Sequence, residues 1–472
     1  MRLPTGVAAG VLALPALLFL PLAIAQPAEA PPAARAGIPA VAAVPTNSQY
    51  RLPLNGAQAD DPLAGLGQLD AQQLAAIVVA RHPSVESAMA AWRAAAARYP
   101  QAVSLNDPMV DLMMAPGSIG SPNVDFAYIV QGRQQIPWSG KRQLRGNVAS
   151  AEARAVYQDV NEARLRLALA AKQAFYEYSA ATTLRALSDQ NGRALESFRQ
   201  SAVARYRANQ VSQQDVLQAE VELAQVKRRQ IELARAARVA AARINTLVLR
   251  SVDAPLPPAS PLRQAEPLPP AELLRQYGVA SRPDLAQRNN RLRAEQWSVA
   301  LANREFRPDL EWVGRYDTFW QGTDRPLQGQ MGLTLNVPLA QEKRRAAVRE
   351  ATARVTRERN ELDAMTRQAE FEIQEAYEKV FESLQTTALY DRDILPAARR
   401  NVQSAQAGYV AGQVDFLRLI QAQRELIDLS EQSIQTQAEL HTRLAMLERT
   451  VGGSLPRVGV EAVPPPDPIP PR

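Results

Sequence analysis

The feature that most constrains this 472-residue chain is that it is written twice. His82-Pro83-Ser84-Val85 is answered 200 residues later by Arg282-Pro283-Asp284-Leu285, and Asp107-Pro108-Met109-Val110 by Arg307-Pro308-Asp309-Leu310 at the same spacing. Ile136-Pro137-Trp138 is answered by Val337-Pro338-Leu339, Lys141-Arg142 by Lys343-Arg344, and Tyr206 with Asn209-Gln210-Val211 by Tyr409 with Gly412-Gln413-Val414, so the spacing drifts only to 203. Five ordered matches with so few insertions imply duplication, and each half should build the same unit.

Inside each unit, residues 142–207 and 343–408 contain one proline, Pro396. Val348, Ala351, Val355, Leu362, Met365, Ala369, Ile373, Ala376, Val380 and Leu384 recur at spacings of three, four or seven, the stripe of a coiled coil. A helix of about 66 residues is roughly 100 Å long and cannot sit inside a compact domain. Pro396 should kink or interrupt the second one. Asn209 and Gly412 suit positive φ, so each long helix should turn back tightly into a new one, over about 212–249 and 415–450. Further helices at 70–103 and 271–304 supply the missing ascent. The predicted segments are a leader (1–25), a Pro/Ala-rich stretch expected to be extended (26–69), a first repeat (70–250), a Pro-rich mid-height connector (251–270), a second repeat (271–452) and a Pro-rich tail (453–472).

Between helices the period changes to two. Leu310, Trp312, Gly314, Tyr316, Thr318 and Trp320 alternate with polar residues, as do Gly329, Met331, Leu333, Leu335 and Val337 after a polar turn at 321–326. The first half offers Val110, Leu112 and Met114, then Phe126, Tyr128 and Val130. Such strands, with Tyr128, Trp312, Tyr316 and Trp320 as an aromatic belt, fit an outer-membrane barrel. The expected fold is mainly α with a transmembrane β-barrel, four strands per chain. Four strands cannot close alone, and lipid does not tolerate open edges, so the chain should oligomerise. A dimer's eight strands fill with side chains, whereas a trimer's twelve leave a lumen.

Arg2, an apolar run from Val7 to Ile24 and the small residues Ala23 and Ala25 read as a secretory signal peptide. No cysteine is present, which excludes disulfides, thiolate chemistry and a lipidated N-terminal cysteine. His82 and His441 stand apart, with surface or cap roles expected and no metal site. Met109, Met113 and Met114 fall on different strand faces and read as barrel packing. The net charge of +6 is interleaved along helix faces without aromatic clustering, so no nucleic-acid partner is expected. No nucleophile with a base, metal cluster or phosphate loop is visible; the chain reads as no enzyme and needs no cofactor.

Together these features resemble the TolC family of outer-membrane efflux proteins over residues 70–452. The most specific pieces are Gln135-Ile136-Pro137-Trp138-Ser139-Gly140-Lys141-Arg142, and Ile394-Leu395-Pro396 followed by Tyr409-Val410-Ala411-Gly412-Gln413-Val414-Asp415. The resemblance implies a homotrimer with a twelve-strand barrel in the cell outer membrane and a twelve-helix tunnel in the periplasm. Its partners would be a periplasmic adaptor (membrane fusion) protein and a proton-driven inner-membrane pump. It places adaptor docking at the hairpin tips, on Tyr206, Asn209, Gln210, Val211, Tyr409, Gly412, Gln413, Val414 and Asp415. In the family's type member acidic residues of the second tip ring the entrance. The matching positions here are Arg418 and Gln421, while Asp215 of the first tip is retained, which makes an Asp215–Arg418 contact a candidate gate. The corner 137–141 and the segment 107–114 resemble the heavy-metal efflux branch, with metal cations as cargo. A protein-secretion duct of the same family and a soluble coiled-coil scaffold are the alternatives.

Overall fold

The computed structural model describes residues 61–123, 125–319 and 329–456. The leader, most of the 26–69 stretch, Trp320, the turn at 321–326 and residues 457–472 lie outside the described residues. The order is α1 (Ala71–Arg81), α2 (Pro83–Ala96), α3 (Arg98–Val103), β1 (Met109–Met114), β2 (Tyr128–Ile136), α4 (Lys141–Arg207) and α5 (Gln213–Leu247). The same series then repeats as α6 (Ala271–Ser281), α7 (Pro283–Arg304), β3 (Asp309–Asp317), β4 (Gly329–Asn336), α8 (Gln341–Leu389), α9 (Leu395–Val410) and α10 (Phe416–Val451).

The helices expected over 70–103 and 271–304 are each interrupted. His82 and Arg282 precede proline and are extended, because the proline ring clashes with a helical residue before it. The proline then serves as the first residue of α2 and of α7, where its missing N–H costs nothing. The His82 ring accepts the Ser84 amide at 3.2 Å and caps α2, the cap role expected of it. His441 is neither on the surface nor a cap: it is half-buried, 5.3 Å from the Tyr176 ring, and burial pushes its pKa down.

α4 runs unbroken for 67 residues. Its counterpart changes to a π turn at Tyr390–Ile394, just before Pro396, and then continues as α9. The irregularity has a cause in the repeat. Lys141 and Lys343 are 202 apart but Tyr206 and Tyr409 are 203 apart, so the second helix holds one residue more. An i→i+5 turn accommodates it while the helix continues. All ten residues of the coiled-coil stripe are buried or half-buried.

The two cores are one core built twice. Leu74, Ala171, Phe175, Tyr178, Ile244 and Val248 pack together in the first repeat. Their counterparts Leu274, Ile373, Tyr377, Val380, Leu447 and Val451 pack together in the second. The part of the N-terminal stretch that is described does not trail away: Leu63 and Leu69 are buried in the first core, and Leu69 exchanges backbone hydrogen bonds with Pro258 and Ser260 of the connector. One substitution between the cores is compensated. Val78 and Ala171 of the first become Gly278 and Ile373, and a Cβ at 278 would lie 2.4 Å from Ile373 Cδ1. Gly278→Val should therefore lower stability by about 1–3 kcal/mol by overpacking. Adding Ile373→Ala, which restores the first repeat's arrangement, should recover part of the loss in a thermal-melting double-mutant cycle.

Sheet order is β1-β2-β3-β4, antiparallel throughout. Val110, Leu112 and Met114 lie opposite Gly132, Val130 and Tyr128. Val130 and Gln134 lie opposite Tyr316 and Trp312, and Trp312 and Gly314 opposite Leu333 and Met331. One face is thus almost wholly apolar. The other carries Asp111, Gln131, Arg133, Glu311, Arg315, Gln330, Thr334 and Asn336, with Arg133 paired to Asp111 at 2.9 Å. The apolar face is exposed at Val110, Leu112, Met114, Trp312, Met331, Leu333 and Leu335; the opposite face is largely half-buried on β2 and β3 but exposed along β4 and at Met109 and Met113. The residues the sequence placed in a second strand begin later than expected, since Phe126 precedes β2.

Candidate functional site

The far ends of the long helices form two hairpin tips. α4 ends with Asn209 at φ 57° and α9 with Gly412 at φ 71°. In both, the amide of the left-handed residue returns to a tyrosine carbonyl (Asn209 to Tyr206, Gly412 to Tyr409), and the next amide reaches five residues back (Gln210 to Arg205, Gln413 to Gly408). This closes the orphan carbonyls of each helix in the same way; glycine suits the left-handed position because it has no β-carbon, and asparagine tolerates it better than most residues. Asp415 caps α10 by accepting the Arg418 amide at 3.0 Å.

The tips are joined to each other. Tyr409 is buried against Phe416, ring centres 5.5 Å apart, in a cluster with Leu195, Ala202, Ala219 and Ile420 that draws on both hairpins. Tyr206, its counterpart, is exposed. Arg205 lies over the Tyr409 ring at 4.6 Å and donates to the carbonyls of Tyr409 and Val410 at 2.8 and 2.9 Å. A cation there meets the negative end of α9 as well as the aromatic face. Burial raises the Tyr409 hydroxyl above its ordinary range, and Arg205 opposes that rise.

Above the turns two ion pairs bridge α5 and α10. Arg424 Nε donates to Glu222 at 2.7 Å, and Arg229 to Glu431 at 2.6 Å. Glu222 and Arg229 are seven apart, as are Arg424 and Glu431, so both pairs lie on one seam. Ser188, Asn191 and Gln423 complete a polar cleft there, and Asn191 Nδ2 is buried without a partner.

Of the sequence-derived gate, the Asp215 carboxylate accepts the Ser212 hydroxyl at 3.2 Å, and Arg418 and Gln421 are exposed. Among the described residues no ion pair within the chain joins Asp215 to Arg418. Asn209, Gln210, Gly412 and Gln413 are exposed at the turns, with Val211 and Val414 half-buried behind them. The residues that do bridge the hairpins, Arg205, Glu222, Arg229, Arg424 and Glu431, were not singled out, because in sequence they look like ordinary charges on helix faces.

At the opposite end, Tyr128 and Tyr316 stand 6.0 Å apart at the far end of the sheet, with Phe126 5.5 Å from Tyr128. Trp312 is exposed nearer the helix end, opposite Gln134. Among the described residues no helix is long and apolar enough to cross a membrane, and no group of three or more metal-ligating side chains occurs.

Residues 275–453 match the family model for outer membrane efflux proteins. No curated protein matches the chain. Among solved structures, it resembles a membrane protein from Pseudomonas aeruginosa at 19% identity, over 85% of this chain and 96% of that one, with a TM-score of 0.67. The outer membrane protein VceC of Vibrio cholerae matches at 16% identity over 82% and 97%, TM-score 0.66. The open state of the MtrE outer membrane channel of Neisseria gonorrhoeae matches at 17% over 82% and 89%, TM-score 0.67. The second repeat is therefore similar in sequence to the outer membrane efflux protein family, and the described chain shares its fold with outer-membrane channels.

Proposed function

We propose that this chain is the outer-membrane channel of a tripartite efflux pump, a passive exit duct formed by a homotrimer. The observation that carries the reading is one continuous path. A four-stranded sheet with one apolar and one polar face leads directly into helices of about 100 Å. Lipid would meet the apolar face, and the polar face would line a lumen. The chain is read as a conduit that converts no energy itself, so cargo would be delivered by a proton-driven inner-membrane pump through a periplasmic adaptor docked on the tips at 206–215 and 409–418. Asp215, Arg418 and Gln421 would meet their counterparts across the tunnel axis and form the gate there. The likeness of 107–114 and 137–141 to the heavy-metal branch supports metal cations as cargo.

Planar-bilayer recording of the purified protein tests the duct. Discrete, stable conductance steps are expected. Protein that stays in solution and never inserts would return the chain to a soluble coiled-coil scaffold. Cargo is tested separately, by whether cells lacking the gene become sensitive to soft metal cations and are rescued by it.

A further inference from the structure

Of the chain's two histidines, His82 caps a helix, while His441 is drawn inward to a place where three parts of the chain meet. α10 of the second repeat packs there on α4 of the first. The cleft between them, about 350 Å³, is lined by Tyr176 of α4, by His441 and Glu448 of α10, and by residues 260–269 of the connector. The His441 ring lies 5.3 Å from the Tyr176 ring and is inclined at 31° to it, and the Arg263 backbone reaches it from the connector. The first repeat treats the same position differently. At the spacing of 203 that matches Leu447 to Ile244, His441 corresponds to Arg238, which is exposed. A permanent charge stands in water in one repeat, and a titrating ring is closed into a joint in the other.

The groups around the ring are poorly placed to receive a histidinium. Among the described residues, the charged and titratable side chains that line the cleft with His441 are Asp70, Lys172, Tyr176, Arg263, Glu266 and Glu448. The Lys172 ammonium, 8% exposed, is paired with Glu448, which is thereby committed. Asp70 caps α1, accepting the Gln72 amide at 2.8 Å, and Arg263 and Glu266 of the connector are exposed and of opposite sign. Burial, then the Glu448 and Asp70 carboxylates, hold the Tyr176 hydroxyl above its ordinary range, so it stays neutral. A proton on His441 would add a second positive charge to the cleft that holds Lys172, where water solvates it only in part. Burial outweighs the hydrogen bond to the Arg263 carbonyl, and the ring titrates below its ordinary 6.5.

We propose that His441 is a pH-sensitive clasp: neutral, it closes the joint of α10, α4 and the connector, and its protonation in acid loosens that joint. The sign follows from the order of the two titrations. The unfolded chain takes up this proton near pH 6.5, and the folded chain only at lower pH. Stability is therefore complete above that pH, declines as pH falls below it, and stops declining once the folded ring is protonated as well. α10 belongs to the second hairpin and α4 to the first, so a looser joint lets the hairpins part more readily, from a point remote from the tip turns. That consequence for opening rests on the channel reading above; the loosening itself does not.

Two histidines make the test direct. Exchange of the imidazole C2 hydrogen in the full-length protein, followed by mass spectrometry across a pH series, titrates His441 and His82 separately. A His441 midpoint below 6.5 is expected, and one at or above it would overturn the proposal. Amide exchange, corrected for its intrinsic pH dependence, should quicken severalfold in 437–445 and 260–269 between about pH 7.5 and about pH 5.5. In His441→Phe, which keeps a ring against Tyr176 and cannot titrate, the quickening should vanish; His441→Gln serves if phenylalanine prevents folding. Equal acid loosening in wild type and variant would overturn the clasp, as would loosening abolished instead by His82→Asn, which preserves the cap. None of these readings requires a current, so the clasp can fail while the channel stands, and a chain that never conducts would leave the clasp intact.

Discussion

Asp309→Ala is expected to destabilise the chain by roughly 3–5 kcal/mol, the effect of removing one partner from a buried ion pair. The substitution leaves the Lys141 ammonium, 1% exposed, with one carboxylate and one carbonyl, and leaves the Trp138 amide without its acceptor. Glu305→Ala should cost less, because Glu305 is 41% exposed and water can replace part of what it supplies. Lys141→Met should fall between, since methionine fills the volume while Asp309 keeps its bond to Trp138. Thermal melting in detergent would give the order. If Glu305→Ala proved the most damaging, the corner would be held from the exposed side, and the role given to Asp309 would be wrong. The corner has weight because it is the hinge line between β-sheet and helix, and because Lys141, Glu305 and Asp309 tie the first repeat to the second at that line.

Much of this architecture was open to reading because duplication checks itself. The turns at Asn209 and Gly412 were each credible alone and became secure as a pair, and both residues do adopt positive φ. The alternation in 310–318 and 329–337 survived as paired strands because period two leaves no other half-buried conformation. What escaped was of two kinds. Breaks at His82 and Arg282 escaped because the apolar periodicity runs on through Pro83 and Pro283, and periodicity cannot report a kink that keeps the same face inward. The π turn escaped although its trace was visible, as one extra residue between 343 and 409. At the tip, Glu222 and Arg424 are 202 residues apart, and only the packing of α5 on α10 reveals them as partners. The one signal available was the repeat itself, since nearly equivalent positions on two superposed helices carry opposite charges.

Those partners are where the largest functional change is expected. Arg205→Ala removes two charge-assisted hydrogen bonds and a ring contact that fasten α9 to α4, and Arg424→Ala removes a bridge from α10 to α5. Bonds of this kind contribute about 1–2 kcal/mol each net of solvation. If opening the duct requires the second hairpin to swing away from the first, the double variant loses about 3 kcal/mol from the closed state, which corresponds to roughly a hundredfold rise in the open fraction. On that premise the second hairpin is the one expected to move, because its helix contains the π turn and Pro396 while α4 is continuous. Single-channel recording would show long closures in the wild type and sustained opening in Arg205→Ala/Arg424→Ala, with each single variant between them. Asp215→Ala and Arg418→Ala, recorded beside them, separate the alternatives. Opening in these but not in the double variant would mean that the two hairpins of a chain move as one body and that the proposed contacts between copies at Asp215, Arg418 and Gln421 hold the closed state by themselves.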